Sequence, residues 1–571
     1  MVPIIKTISF LIVAILLAAT AILVPAHVRT VDQSVLQLAA SEGDTPAETI
    51  TVALNAAQVG PAQRLIEATD LSSNERQQFQ SRINSLLAKD PQFAISGGAD
   101  PSFQDFLELT QITKPDNNAV VPLLLPRSER SSLSGALAQS SQANVATLLS
   151  IRNQHGLLRL HPADHAAGAP YDAGVLTLAL LVEGGHFRPA LAQQIGAIAT
   201  QASLNTPAAV RAVEDLVIAT LSLGRQLDYR SLANLADLTK TPADWAQMAT
   251  LFRAQPDRID QLYAALRFSE SPKQLFNYLA AHPDTGNADL DQALSLGPAA
   301  LQLLLKTKQP IYRPASIAKQ VTERLSLYRP DAFIAITYKN PTSGLALKFA
   351  IFFLSGLAFA FSMGAAWRAS LGKGQPIVSK ANPMIWARDV LLSLVVALTI
   401  WTFFEPDILK SQDTETDSGP RIEFAVADTL QSLKSPVKAM QDLNQVTLLV
   451  LALFFIVQLV IYSFCLIKLR EISKQKLSAD LKIKLLENEE NLFDFGLYVG
   501  LGGTVLSLIL VAVGIVEASL MAAYASTLFG ILFTAVLKVM HLRPYRRTLI
   551  IEASSSATSN NPGTLMGDIK L

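Results

Sequence analysis

Cysteine is almost missing from this chain: there is one, Cys465, in 571 residues. An intrachain disulfide is therefore excluded, as are four-cysteine and Cys2His2 zinc sites. Charge is scarce too. Asp, Glu, Lys and Arg make up 16% of the chain, against about 25% in an ordinary soluble domain. Lys plus Arg number 47 and Asp plus Glu number 47, so no basic surplus argues for a nucleic-acid partner. The chain has no G-x-S-x-G, no P-loop and no dinucleotide-binding glycine fingerprint. The reading is therefore not an enzyme, and no cofactor is expected.

Apolar sequence is plentiful instead. Hydrophobic residues make up 50% of the chain, and the mean hydropathy is +0.31. They gather near the start and after residue 345, which points to membrane spans. Residues 7–26 carry no charge and follow Lys6, so they form a retained anchor or a signal peptide cut near Val24-Pro25-Ala26. The retained anchor is the preferred reading. Residues 349–367 and 446–467 are uncharged, and 384–404 contain only Arg388-Asp389 near one end. Residues 495–540 form a 46-residue stretch charged only at Glu517 and Lys538. That length suits two helices with a turn at Gly514–Ser519, giving six spans in all.

Loop charge sets the orientation. Residues 368–388 hold Arg368, Lys373, Lys380 and Arg388 and no acid, and residues 468–494 hold six Lys or Arg. Lys538, Arg543, Arg546 and Arg547 follow the last span, while residues 405–445 hold eight acids against four bases. The positive-inside rule then places the three basic segments in the cytoplasm and residues 27–348 and 405–445 outside. Both termini are cytoplasmic if the first span is retained. The expected location is a bacterial inner membrane, with the large domain in the periplasm or outside.

The fold class expected is all-α: a polytopic helical membrane protein of about six spans with a large, mostly helical exported domain. The segments are an anchor or signal over 1–29, the exported domain over 30–345, two spans with an acidic outer loop over 346–445, a last membrane region over 446–552 and a disordered tail over 553–571. The tail is Ala-, Ser- and Asn-rich and has little to bury. In the exported domain, Ser72-x-x-Glu75 predicts a capping box before a helix to about Ala88. Thr206-Pro207, Thr241-Pro242 and Ser271-Pro272 predict helix starts 35 and 30 residues apart. That spacing fits helical-hairpin repeats of an α-solenoid or an irregular helical bundle. Ala119–Leu125 and Gly156–Leu160 are candidate strands. His161-Pro-Ala-Asp164-His165 has metal-ligand residue types, but Pro162 disfavours the helix that would align the imidazoles. It reads as a polar loop, with no metal expected. The domain reads as a scaffold or binding surface.

Small and hydroxyl residues recur at helical spacing in the last two spans. Gly496, Gly500 and Thr504 form one stripe, and Ala522, Ser526, Gly530 and Thr534 form another, with Gly503 beside the first. Gly356, Ala360 and Gly364 make a similar face in the second span. Such faces let helices pack closely and point to a homo-oligomer in the bilayer, and hydroxyls can bond to backbone or across to a neighbour. By spacing alone, packing is the ordinary role of such residues.

Gly500-Leu501-x-Gly503-Thr504-Val505 resembles the Gly-Leu-x-Gly-Thr-Val stretch of the MotA/TolQ/ExbB proton-channel family, and Thr527-x-x-Gly530-Ile531 is similar to the Thr-x-x-Gly-Leu of that family's next span. The resemblance covers about residues 446–548. The cytoplasmic loop is shorter than the family's, as is the outer turn. A second register, Gly514-Ile515-Val516-Glu517-Ala518, resembles the family's Gly-Ile-x-Glu-Ala and would leave Ala522 where the family has threonine. The Thr527 register is preferred because it keeps the Thr-x-x-Gly pair.

The resemblance implies a ring of subunits around a single-span partner, similar to ExbD, TolR or MotB, whose membrane carboxylate takes up the proton. It implies that Thr504 and Thr527 line the path, that Ser507 and Ser526 assist, and that Glu517 sits at the outer mouth. The function implied is a proton-channel-like subunit of an ion-driven envelope motor or energy-transducing complex. The alternative is a membrane-anchored helical scaffold or sensor that conducts no ions.

Overall fold

The computed structural model describes residues 2–109, 118–313, 325–326, 328–370, 383–405, 445–475, 477–512 and 520–559. Regular secondary structure among them is helical, and an isolated parallel bridge joins Val31 and Ile311. The chain divides into two compact units: Thr30–Tyr312, and Met1–Arg29 with Arg313–Leu571. The helix Asp331–Lys339 packs on the apolar helix that follows it and lies in the second unit.

In the unit Thr30–Tyr312, helices start where the sequence supplies caps. Ser72 and Glu75 close a reciprocal capping box on the helix Ser73–Lys89, satisfying two backbone amides that a helix start leaves unpaired. Thr241 and Asp244 do the same for Pro242–Ala254. Pro207 and Pro272 open their helices as predicted, but the Thr206 and Ser271 side chains make no cap bond. Ala169–Glu183 contacts Pro207–Gly224, which contacts Pro242–Ala254, then Pro272–Ala281, then Pro298–Thr307. The intervening helices Tyr229–Leu238, Ile259–Phe268 and Gly286–Leu296 contact one another in the same order. Gln33–Glu42 packs on Pro298–Thr307. The Val31–Ile311 bridge, with Val31 N donating to Pro310 O at 2.9 Å and Tyr312 N to Val31 O at 2.8 Å, fastens the two ends of the unit together.

Neither candidate strand forms. Val120–Leu123 is a helical turn whose apolar residues are buried. Around Gly156–Leu160 the backbone amides are taken by a carboxylate instead of a neighbouring strand: Glu214, 1% exposed, accepts from Leu158 N at 3.3 Å, from Arg159 N and from Leu160 N at 2.9 Å. The His161 and His165 rings stack with centroids 4.2 Å apart, and His165 Nδ1 accepts from Ala167 N.

In the other unit, five helices are long and apolar enough to cross a membrane, within Ile4–Leu23, Pro341–Ala366, Trp386–Phe404, Leu451–Lys474 and Tyr524–Ser555. The remaining expected span is an apolar but shorter helix, Phe495–Ala512. We refer to the six as the first to sixth membrane helices in chain order. The second packs on the first and third, and the fourth on the third, fifth and sixth. Ser355 Oγ donates to Ala14 O at 2.8 Å and Ser362 Oγ to Thr7 O at 2.9 Å, so hydroxyls tie the first helix to the second.

The second helix starts at Pro341, earlier than the uncharged run suggests, and includes Lys348. That lysine is 2% exposed and partnered: Nζ lies 2.5 Å from Glu405 Oε1 and donates to Ala26 O at 2.7 Å. His27 Nδ1 is 3.0 Å from the same Glu405 oxygen. A cation can be buried only with such compensation. Past the sixth helix, a π-helical turn over Leu537–Leu542 leads into the helix Arg543–Ser559. Helix thus continues into the stretch expected to be a disordered tail, and residues 560–571 lie outside the described ones.

Candidate functional site

The fifth and sixth helices, Phe495–Ala512 and Leu520–Val536, run antiparallel, and glycine lets their backbones touch. A Cβ placed on Gly500 would sit 2.8 Å from Ser526 O and 3.1 Å from Gly530 Cα, and one on Gly530 would sit 2.7 Å from Gly496 O. No larger residue fits this crossing without parting the helices. Gly503 faces the buried Ser526 hydroxyl, and Gly496 faces Thr534.

Beside the crossing, the hydroxyls of Thr504 and Thr527 meet at 2.6 Å. Both also reach one backbone carbonyl: Gly500 O accepts from Thr504 Oγ1 at 3.1 Å and from Thr527 Oγ1 at 3.4 Å. Each hydroxyl carries one proton. In one arrangement Thr504 donates to Gly500 O and receives from Thr527. In the other Thr504 donates to Thr527, which donates to Gly500 O. A hydroxyl pair with two such orders can pass hydrogen-bond polarity along without moving a heavy atom.

The other expected site residues spread around this pair. Ser526 is 1% exposed. Ser507 is half-buried, about one turn beyond Thr504 on the fifth helix. Ala522 lies near the start of the sixth helix, and Glu517, like the expected turn at Gly514–Ser519, lies outside the described residues. In the second helix, a Cβ on Gly356 would collide with the Ser393 backbone of the third, Ala360 is buried, and a Cβ on Gly364 would meet no described atom within 4 Å.

One contributor was not anticipated. Gln458, from the fourth helix and 1% exposed, donates Nε2 to Gly496 O at 3.0 Å. The same nitrogen lies 3.4 Å from the Cβ positions of both Gly500 and Gly530, so the amide covers the glycine crossing. The signal was available, since Gln458 is the sole amide in the uncharged run 446–467. At the end of the pair nearer Gly496, Lys538 Nζ lies 2.7 Å from Asp494 Oδ1. Neither Phe495–Ala512 nor Leu520–Val536 contains Asp or Glu, so the hydroxyl pair has no carboxylate of its own helices to receive a proton. Compared with family models, curated proteins and solved structures, the chain matches none.

Proposed function

We propose that this chain is a proton-channel-like membrane subunit of an ion-driven envelope complex, with Thr504 and Thr527 on the ion path. The observation that carries the proposal is the 2.6 Å contact between those hydroxyls. It sets two polar side chains of different helices together in an apolar surrounding, as a relay needs and as packing alone does not. The missing carboxylate is assigned to a single-span partner similar to ExbD, TolR or MotB, and the subunits to a homo-oligomeric ring. The motif resemblance over residues 446–548 supports this reading. In the same proposal the basic loops are cytoplasmic, the membrane is a bacterial inner membrane, and Thr30–Tyr312 is an exported, solenoid-like unit that binds a partner or the envelope.

Two assays on the same variants test it. Thr504→Val and Thr527→Val keep side-chain shape and remove the hydroxyl. Ion-dependent growth or proton flux is expected to disappear in either variant, while gel filtration shows normal assembly. Full activity of the double variant would favour the membrane-anchored scaffold or sensor. Alkaline phosphatase fused near residue 300 is expected to be active, and fused near residue 480 inactive. The opposite pattern would reject both readings.

A further inference from the structure

The fourth, fifth and sixth membrane helices enclose a second polar position, about two helical turns from the hydroxyl pair on the side of Gly496. A cavity of about 10 Å³ lies there, with Gln458, Gly496 and Thr534 on its polar side and Phe493, Phe533 and Leu537 among its apolar walls. That is room for one water molecule and for little else.

Both polar side chains have bonding capacity left over. Gln458, 1% exposed, donates Nε2 to Gly496 O at 3.0 Å, but its Oε1 is buried and accepts no hydrogen bond among the described residues. Thr534, 9% exposed, makes no side-chain hydrogen bond among the described residues. Gly496 lets the two oxygens converge, since its Cβ position lies 3.0 Å from Thr534 Oγ1 and 3.2 Å from Gln458 Oε1. A buried amide oxygen without a donor is costly, and a water that donates to it while bonding to the hydroxyl removes that cost.

The cavity also lies between two polar points already described. On one side, Gln458 Nε2 is 3.4 Å from the Cβ position of Gly500, whose carbonyl accepts from both threonine hydroxyls. On the other, the walls Phe493 and Leu537 adjoin Asp494 and Lys538 in the chain, which pair at 2.7 Å. A water in the cavity divides the apolar stretch between the hydroxyl pair and that ion pair into two shorter steps.

We propose that Gln458 Oε1 and Thr534 Oγ1 hold one water molecule, and that this water is a station of the ion path between the Thr504–Thr527 pair and the Asp494–Lys538 end. The inference rests on the ion path proposed above. A proton crossing the station forms one O–H bond to the water on the side of the hydroxyl pair, and another O–H bond breaks on the opposite side, so the water ends unchanged. Gln458 and Thr534 are positioning residues: they act through the water and stay un-ionised.

The test pairs an electron-microscopy map of the full-length protein in lipid nanodiscs, resolved well enough to show ordered water, with proton flux or ion-dependent growth in cells. The wild-type map is expected to show one water within hydrogen-bonding distance of both Gln458 Oε1 and Thr534 Oγ1. Thr534→Val keeps the side-chain shape and removes the hydroxyl. It is expected to lose that water and to lower flux at least tenfold, with assembly by gel filtration and melting temperature unchanged. If Thr534→Val does not fold, Gln458→Met, similar in length and without the oxygen, is expected to show the same two losses. A wild-type map without the water, a water that stays in Thr534→Val, or wild-type flux in a folded variant would overturn the inference. Flux abolished by Thr504→Val and Thr527→Val but untouched by Thr534→Val would overturn this inference alone, whereas full flux in all of these variants would overturn the proposed function as well.

Discussion

Lys348 and Glu405, on the second membrane helix and just beyond the third, form an ion pair at 2.5 Å with side chains only 3% and 5% exposed. His27 and the Ala26 carbonyl, just past the first helix, complete the cluster, so one charge cluster joins three chain segments.

Removing one charge of that pair is expected to do more harm than removing both. Glu405→Gln strands the buried Lys348 cation, at a cost of about 3–5 kcal/mol. Lys348→Met with Glu405→Leu leaves no buried charge and is expected to regain most of the loss. Melting temperatures in detergent of the single and double variants check this; a double variant as unstable as the single would assign the loss to packing.

The same cluster bears on the first helix. Cleavage near Val24-Pro25-Ala26 would remove the helix that accepts the Ser355 and Ser362 hydroxyl bonds, and it would disturb the Ala26 carbonyl held by Lys348. Intact mass measurement of the purified protein is expected to show residues 1–26 still attached.

Glycine substitutions should separate close crossing from mere helix content. Gly500→Ala forces a methyl against the Ser526 and Gly530 backbones and is expected to cost about 1–3 kcal/mol. A methyl on Gly502, two residues away, would meet no described side chain or neighbouring helix within 4 Å. Gly502→Ala is expected to be neutral or to add up to about 1 kcal/mol from helix propensity. Thermal unfolding of both variants decides, and equal losses would mean that the crossing is not tight.

Asp100 gives a pH dependence of known sign. Burial works to raise its pKa, but the contacts with His186 and Ser102 and the charges of His186 and Arg230 outweigh it and hold the carboxyl below its ordinary value of 3.8. The folded form is the stronger acid, so its stabilisation is complete above pH 3.8 and is lost as pH falls toward the lower folded value. Wild type is therefore expected to lose more stability between pH 6 and pH 3 than Asp100→Asn does. Unfolding curves of both proteins at the two pH values measure it, and parallel losses would remove Asp100 from the account.

Much of this protein could be read from the order of its residues. Apolar runs located the membrane helices because the length of a span depends only on bilayer thickness and rise per residue. Ser72-x-x-Glu75 and the Thr241-Pro242 start were legible because capping is complete within four residues. The glycine and hydroxyl stripes were visible because helical spacing is local. What tertiary structure alone decided concerns partners far apart in sequence. Lys348 sits inside a membrane helix because Glu405, 57 residues later, neutralises it. Residues 158–160 do not form a strand because Glu214 takes their amides. Gln458 covers the Gly500–Gly530 crossing from a third helix, and Thr504 meets Thr527 across 23 residues of chain. Local pattern shows which groups are costly to bury; only the fold determines which other group offsets that cost.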